Sequence, residues 1–266
     1  MPEGDTVWRA CQLLNRALAG RVLTRCELRV PSLATEDLTG ATVCEVVSRG
    51  KHQLFRFDNR FTLHTHLRMD GSWRVFDHGA NWSGGQPFQI RVMLANADHD
   101  AIGYRLPVVE LLPTADEPSV VGHLGPDLLG PDWDPAEAMR RITADPGRTI
   151  GEALLDQRNL AGIGTLYRAE LCFLQGIHPR TPVGEIRNLE RLVRRAQQLL
   201  SANRARPQQS TTGDLRTGRQ TYVFGRAGKP CRRCGTTIAF EEFGPIGQER
   251  TSYWCPRCQP AIGGSG

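Results

Sequence analysis

Pro2 and Glu3, near the start of the chain, are a pair whose types and adjacency could do covalent chemistry. Removal of an initiator methionine before so small a residue would leave a secondary amine at the new terminus. An α-amino group titrates near 7.7–8.0, against about 10.4 for a lysine side chain, so roughly a third of it is the neutral nucleophile at pH 7.5. Such an amine attacks electrophilic sugar or carbonyl carbon and forms a Schiff base. Glu3 places a carboxylate within reach as the acid/base partner. Taken alone, the two residues also suit a blander reading, a common second residue and an acid that complements a helix N-terminus.

Four of the eight cysteines form two pairs, Cys231-x-x-Cys234 and Cys255-x-x-Cys258, separated by residues 235–254. Two such knuckles can bring four thiolates to one structural Zn²⁺, with the intervening segment as a β-hairpin. A redox Cys-x-x-Cys is expected once, at the start of a helix, not twice around a hairpin. The opening MPEGDTVWRA has no basic n-region or apolar h-region, so no secretory signal and no disulfides are expected. Cys11, Cys26, Cys44 and Cys172 are isolated among apolar neighbours and read as small core residues.

Three further segments could hold phosphate. In 157–168, QRNLAGIGTLYR, Gly162 and Gly164 precede a helix, where backbone N–H groups approach an anion and Asn159 could add its amide. Arg250, just before the second cysteine pair, would sit near the tip or returning arm of the metal-held hairpin, where an arginine can grip phosphate. Lys51, in Arg49-Gly50-Lys51-His52, begins a strand and is one of only two lysines. Each has an ordinary alternative: a glycine-bearing turn, an interaction-only zinc ribbon, a solvated lysine.

These residues need a scaffold, and 266 residues suffice for one large domain or two ordinary ones. The chain is 39% hydrophobic and 23% charged with net charge +5, a soluble globular composition that excludes general disorder and collagen-like repeats. No apolar run approaches the roughly 18 residues of a membrane helix, so a cytoplasmic protein is expected. Charge is uneven. Residues 1–132 are slightly acidic, whereas 204–233 hold eight basic residues and one acid, Asp214. That asymmetry suggests a nucleic-acid or phosphate partner, or else a solvated positive face.

Helical spacing of Val7, Cys11, Leu14 and Leu18 predicts a helix over 4–19, with Asp5 and Thr6 as possible caps and Gly20 as the stop. Short β-rich runs follow at 21–30, 41–48, 52–57, 61–68, 72–76, 88–95 and 101–112, predicting an antiparallel sandwich or barrel. Five prolines and three glycines mark 113–135 as a linker. Helical patterns then occupy 135–143, 149–156, about 164–174, and 188–203. The expected organisation is α+β: a β-domain at 1–112, a linker at 113–134, a helical domain at 135–224 and a zinc module at 225–262. No internal repeat or coiled-coil pattern is present, so a monomer is expected.

In this order, MPEG at 1–4, SRGKH at 48–52, HLRMDGSW at 66–73, LGPDLL at 124–129, DQRNLAGIGTLYRAE at 156–170 and GKPCRRCG…RTSYWCPRCQ at 228–259 resemble the formamidopyrimidine-DNA glycosylase/endonuclease VIII (Fpg/Nei) family. The resemblance implies an N-terminal antiparallel β-sandwich with a leading helix, a helix-two-turn-helix module and a C-terminal zinc-finger hairpin, with damaged DNA between the halves of a bacterial cytoplasmic enzyme. It implies that Pro2 attacks C1′, that Glu3 assists ring opening, and that Lys51 assists elimination near a phosphate. Asn159, the Gly162–Gly164 amides and Arg250 would hold phosphates. The implied reaction is base removal and β,δ-elimination after the nucleotide is flipped from the stack.

Gly4-Asp5-Thr6 and the short 204–228 segment look like the endonuclease VIII branch, which implies oxidised pyrimidines as substrates. One departure stands out. Met69 fits as a wedge into the void left by the flipped base and Arg68 as its neighbour, but Asp70 stands where that branch often has an aromatic. The expectation is weaker discrimination of the opposite base and good activity on single strands. Two other readings share parts of the pattern: an Fpg-type oxidised-purine glycosylase, and a non-catalytic zinc-ribbon protein that binds DNA damage.

Overall fold

The computed structural model describes residues 2–244 and 249–261. The chain divides at His123/Leu124 into two compact units.

The first unit begins with α1, Gly4–Leu18. Its cap is Glu3, not Asp5 or Thr6 as expected, and the Glu3 side chain makes no capping hydrogen bond. Val7, Cys11, Leu14 and Leu18 line its buried stripe as their spacing requires. Eight strands follow: β1 Arg25–Leu28, β2 Val43–Arg49, β3 His52–Phe57, β4 Phe61–His66, β5 Ser72–Asp77, β6 Ile90–Ala95, β7 His99–Tyr104 and β8 Val108–Pro113. They make two four-stranded antiparallel sheets, ordered β1-β6-β7-β5 and β2-β3-β4-β8. Inward residues of both sheets (Val46, Phe55 and Leu63; Val92, Leu94 and Trp73) share one core with α1. That is the expected sandwich.

The run expected as one strand over 101–112 is two strands in different sheets. Arg105 takes a left-handed conformation, φ +50°, and Pro107 has no N–H to continue a ladder. The chain therefore turns the corner from β7 to β8. Cys44 also differs from its reading as a core residue: a register shift between Val43 and Glu45 interrupts the pairing of β2 with β3, and Cys44 is exposed. Burial pushes the Cys11 and Cys172 thiols up to about 12 and Cys26 to about 11, so all three stay protonated.

The segment expected as a linker is ordered throughout. On the first unit it forms a 3₁₀ turn, Thr114–Asp116, and α2, Pro118–Val121. Between them Glu117 accepts from Arg56 Nε and Nη2 at 2.8 and 2.7 Å and from Thr62 Oγ1 at 2.7 Å. On the second unit Gly125 N–H donates to Gln157 O, and Leu128 is buried. A Cβ on Gly125 would lie 2.6 Å from the Asn159 carbonyl, so only glycine permits that approach. Pro113, Pro118 and Pro135 stand at the starts of the short elements here, and the boundary between the two units falls inside the segment.

The second unit holds α3 Pro135–Thr143, α4 Ile150–Leu155, α5 Thr165–Gln175 and α6 Leu189–Asn203 around one apolar core. Asp134 caps α3 by accepting from the N–H groups of Ala136 and Glu137. Gly176, at φ +68°, ends α5 in the left-handed region. The zinc-finger hairpin follows as β9 Ala239–Phe243 and β10 Arg250–Trp254. Ala169 and Phe173 of α5 pack with Val223, Ile238 and two cysteines of the finger.

Glu170, fully buried on α5, accepts the N–H groups of Tyr222 and Val223 at 2.8 Å and of Phe224 at 2.9 Å, and a hydrogen bond from the Thr211 hydroxyl. Burial pushes its carboxyl up, opposed by these four donors. Glu170→Gln would turn an amide NH₂ toward at least one backbone N–H, which can only donate. It is expected to lower stability by about 2–3 kcal/mol, read as a fall in the urea midpoint. For Glu117, burial raises the carboxyl, but the hydrogen bonds from Arg56 and Thr62 outweigh it and leave it lowered. Its stabilisation is therefore present above the ordinary glutamate value and lost as pH falls through the lowered one. Urea midpoints of wild type and Glu117→Gln are expected to differ at pH 7 and to converge below about pH 4.

Candidate active site and metal centre

In the first unit the chain start is fixed by helix α1. Pro2 is half-buried and Glu3 has no exposed surface, with the Glu3 carbonyl accepting from Val7 N–H at 3.0 Å. Met1, whose removal the amine requires, lies outside the described residues. Gly50 and Lys51 form the two-residue turn between β2 and β3, where Gly50 takes φ +58° as such turns demand. Arg68 and Met69 lie on the turn between β4 and β5. Arg68 has φ +46°, its N–H donates to His66 Nδ1 at 2.9 Å, and Arg105 Nε holds the Asp70 carbonyl at 3.2 Å. This bracing raises Met69 to 60% exposure. Gly71 closes the turn onto the Leu67 carbonyl, where a Cβ would lie at 2.6 Å.

A histidine cluster joins these two turns, and the motif reading did not single it out. His52 and His66 are paired across β3 and β4, and His64 faces Glu110 across β4 and β8. His52 Nδ1 lies 2.8 Å from His64 Nε2, and His64 Nδ1 lies 2.8 Å from Glu110 Oε2. The His52 ring meets His66 edge-on at 4.9 Å, and the His123 ring lies 6.1 Å away. Burial, then the neighbouring imidazoles and Arg68, lowers His52 to about 3. Burial, then Arg68, Lys51 and His64, lowers His66 to about 4. Both rings are neutral at pH 7. The signal available in the sequence was the alternation His64-x-His66, which puts two imidazoles on one strand face.

In the second unit, α4, the 156–164 loop and α5 carry the residues expected to hold phosphate. Asn159 Nδ2 donates one hydrogen to the Ala153 carbonyl at 3.0 Å, and its second points from the same nitrogen. Gly164 caps α5 in extended geometry. Gly162 differs from expectation: its N–H is taken by Gln157 Oε1 at 3.0 Å, and Gln157 Nε2 in turn holds the Leu155 and Ile163 carbonyls. At φ +114° this glycine shapes the turn, and its amide is already engaged.

The four paired cysteines are brought together, with all four sulfurs within 4.8 Å of one another. Cys231 and Cys258 Sγ are 3.9 Å apart, Cys234 and Cys255 Sγ 3.4 Å. Tetrahedral zinc with Zn–S of about 2.3 Å needs sulfur separations of about 3.8 Å. The donor set therefore fits a structural zinc ion with no open position. The Arg233 and Cys258 amides point at Cys231 and Cys255 sulfur, which favours thiolates. Arg250 is the first residue of the returning arm β10 and is exposed. Arg168, buried in α5, reaches from Nη2 to the carbonyl of the next residue, Thr251, at 2.8 Å. Among the described residues no helix is long and apolar enough to cross a membrane.

Comparison with known proteins matches three consecutive segments. Residues 1–105 match the formamidopyrimidine-DNA glycosylase N-terminal domain, 124–213 the formamidopyrimidine-DNA glycosylase H2TH domain, and 228–261 the zinc finger found in FPG and IleRS. A "Probable endonuclease 8 2" of Streptomyces coelicolor is 59% identical over 97% of this chain and 94% of its own length. The "DNA-(apurinic or apyrimidinic site) lyase Nei2" of Mycolicibacterium smegmatis is 49% identical over 98% of this chain and 100% of its own. The fold is also that of Lactococcus lactis formamidopyrimidine-DNA glycosylase crystallised on DNA containing an AP site, with a TM-score of 0.79, 24% identity, and coverage of 97% of this chain and 100% of that one. On its matched domains, its cysteine centre and the identity to these relatives, the chain belongs to the formamidopyrimidine-DNA glycosylase/endonuclease VIII family.

Proposed function

We propose that this protein is a bifunctional DNA glycosylase and abasic-site lyase of base-excision repair, acting on oxidised pyrimidines. The observation that carries the reading is Pro2 beside the fully buried Glu3 at the cap of α1, in a chain 59% and 49% identical to relatives named as endonuclease 8 and as an abasic-site lyase. The Pro2 amine attacks C1′ of the flipped nucleotide and the base leaves. A Schiff base then links Pro2 to the opened sugar, and β,δ-elimination cuts the strand on both sides. Glu3 moves the proton that ring opening requires. Lys51, on its rigid hairpin turn, places an ammonium beside the lesion's phosphate.

DNA is held by groups of both units. Asn159 with its remaining amide hydrogen, Gly164 at the start of α5 and Arg250 on β10 bind backbone phosphates. Gly162 supports that loop through Gln157 without donating to phosphate. Met69 and Arg68 enter the space left by the flipped nucleotide, and the small acidic Asp70 leaves that space partly unfilled. One Zn²⁺ on Cys231, Cys234, Cys255 and Cys258 keeps β9 and β10 in place and takes no part in the chemistry. The protein works as a monomer in the bacterial cytoplasm.

Borohydride is expected to trap a covalent adduct on abasic and thymine-glycol duplexes, mapping to Pro2, with comparable yield on single-stranded and bubble substrates. Glu3→Gln is expected to slow base release by about a hundredfold or more. Adduct only on an 8-oxoguanine duplex would move the enzyme to oxidised purines, and no adduct from protein shown to lack Met1 would overturn the mechanism. Metal analysis is expected to return one zinc per chain. A strong chelator should then release protection from hydrogen exchange at 239–243 and 250–254 and weaken DNA binding at least tenfold, because metal binding and folding are coupled in such modules. Retained protection after complete removal of zinc would show that the hairpin stands without it.

A further inference from the structure

Glu110, His64 and His52 form one continuous hydrogen-bonded line, with 2.8 Å at each step. The ends of the line differ. The Glu110 side chain is 53% exposed, His64 is 4% exposed, and His52 is the residue after Lys51. The Glu110 carboxylate can only accept, so His64 donates from Nδ1, and in neutral His64 the Nε2 then carries a lone pair. That lone pair accepts His52 Nδ1–H, which leaves a lone pair on His52 Nε2. An unprotonated nitrogen is therefore presented at the inner end and a proton-accepting carboxylate at the outer end.

We propose that Glu110, His64 and His52 form a proton path that carries protons from the Lys51 turn to solvent during the elimination steps. This rests on the function proposed above, in which each elimination takes one proton from sugar carbon. His52 Nε2 receives a proton, and the His52 Nδ1–H bond breaks as its proton passes to His64 Nε2. The His64 Nδ1–H bond breaks as its proton passes to the Glu110 carboxylate, which releases it to water. One proton enters and one leaves, and rotation of the rings restores the starting tautomers. The groups around the path are Lys51 on the β2–β3 turn, His66 on β4, Arg68 on the β4–β5 turn and His123 after α2. Arg68, and the imidazoles when protonated, disfavour a resting proton on His52, and Lys51 does the same at His66, so the proton is driven outward. The low value at His52, about 3, agrees with a site that passes a proton on.

The test is single-turnover cleavage of an abasic duplex between pH 5 and 8, following the borohydride-trapped adduct and the cut strand separately. Glu110→Gln keeps the hydrogen bond through its carbonyl but cannot take the proton, and the exposed site tolerates the change. In Glu110→Gln and His52→Gln the trapped adduct is expected to build up while the cut strand forms about tenfold more slowly. Imidazole buffer is expected to restore elimination in His52→Ala in proportion to its free-base concentration, which a packing role would not produce. Nitrogen NMR of the free protein should find protons on Nδ1 of both His52 and His64. Elimination within twofold of wild type in both glutamine variants at every pH overturns the path, as does a proton on His52 Nε2 or a His52→Ala defect indifferent to imidazole. Absence of any adduct in wild type would instead remove the functional reading and the path with it.

Discussion

A single buried carboxylate organises the second unit. Glu170 sits in the middle of α5, in a helix with nearly every side chain buried, and it collects three successive backbone N–H groups and a hydroxyl from 211–224. That stretch is basic, rich in turns and without regular structure, so its backbone groups need partners from elsewhere. By gathering them onto α5, Glu170 fixes the point from which the chain enters the zinc module. The finger then packs its own apolar side on Ala169 and Phe173 of the same helix. Arg233 stacks over Phe173 at 4.5 Å, and Arg180 pairs with Glu241 of β9. The four clustered cysteines gather the two ends of the hairpin, whereas the carboxylate decides where the hairpin is.

The first unit follows a different rule. Lys51, Arg68 and Met69 stand on two tight turns at one end of the sheet β2-β3-β4-β8, and both turns hold backbone in the left-handed region, at Gly50 and at Arg68. A non-glycine residue there is under strain that its surroundings must support. For Arg68 the support is specific: His66 accepts its amide and Arg105, itself left-handed, holds Asp70. His52 and His66 below the turns stay neutral, so they add no charge beside Lys51 and Arg68.

What the sequence made legible divides along the same physical lines. The cysteine pairs could be read because a metal site is a statement of spacing. α1, α3 and α6 could be read because a buried stripe and a capping Asp134-Pro135 are local patterns. The break at Arg105 could not, because a single left-handed residue inside an apolar run leaves the run intact. Neither could the bulge that exposes Cys44, nor the ordering of 113–134, since Glu117 finds Arg56 and Thr62 across more than 50 positions. The engaged amide of Gly162 escaped for a related reason: a glycine-rich loop looks the same whether its N–H groups await an anion or a neighbouring glutamine. The histidines are separated by two and twelve positions, and only strand register shows that they meet.

Arg168 links the first turn of α5 to the carbonyl beside Arg250, so the loop ahead of the helix and the start of β10 are tied to one another. On the proposed function, two phosphate contacts joined in this way would behave as a chelate. The translational and rotational freedom given up at the first point is not given up again at the second, and the effective concentration of the second phosphate is set by geometry alone. Neighbouring phosphates on a flexible strand must then adopt the protein's spacing, instead of the protein adapting to theirs. DNA that bends easily, as a duplex does beside a damaged or unpaired base, meets that requirement at lower cost than an intact duplex does. On the proposed function, rigidity between two sequence-blind contacts would favour damaged DNA before any base is inspected.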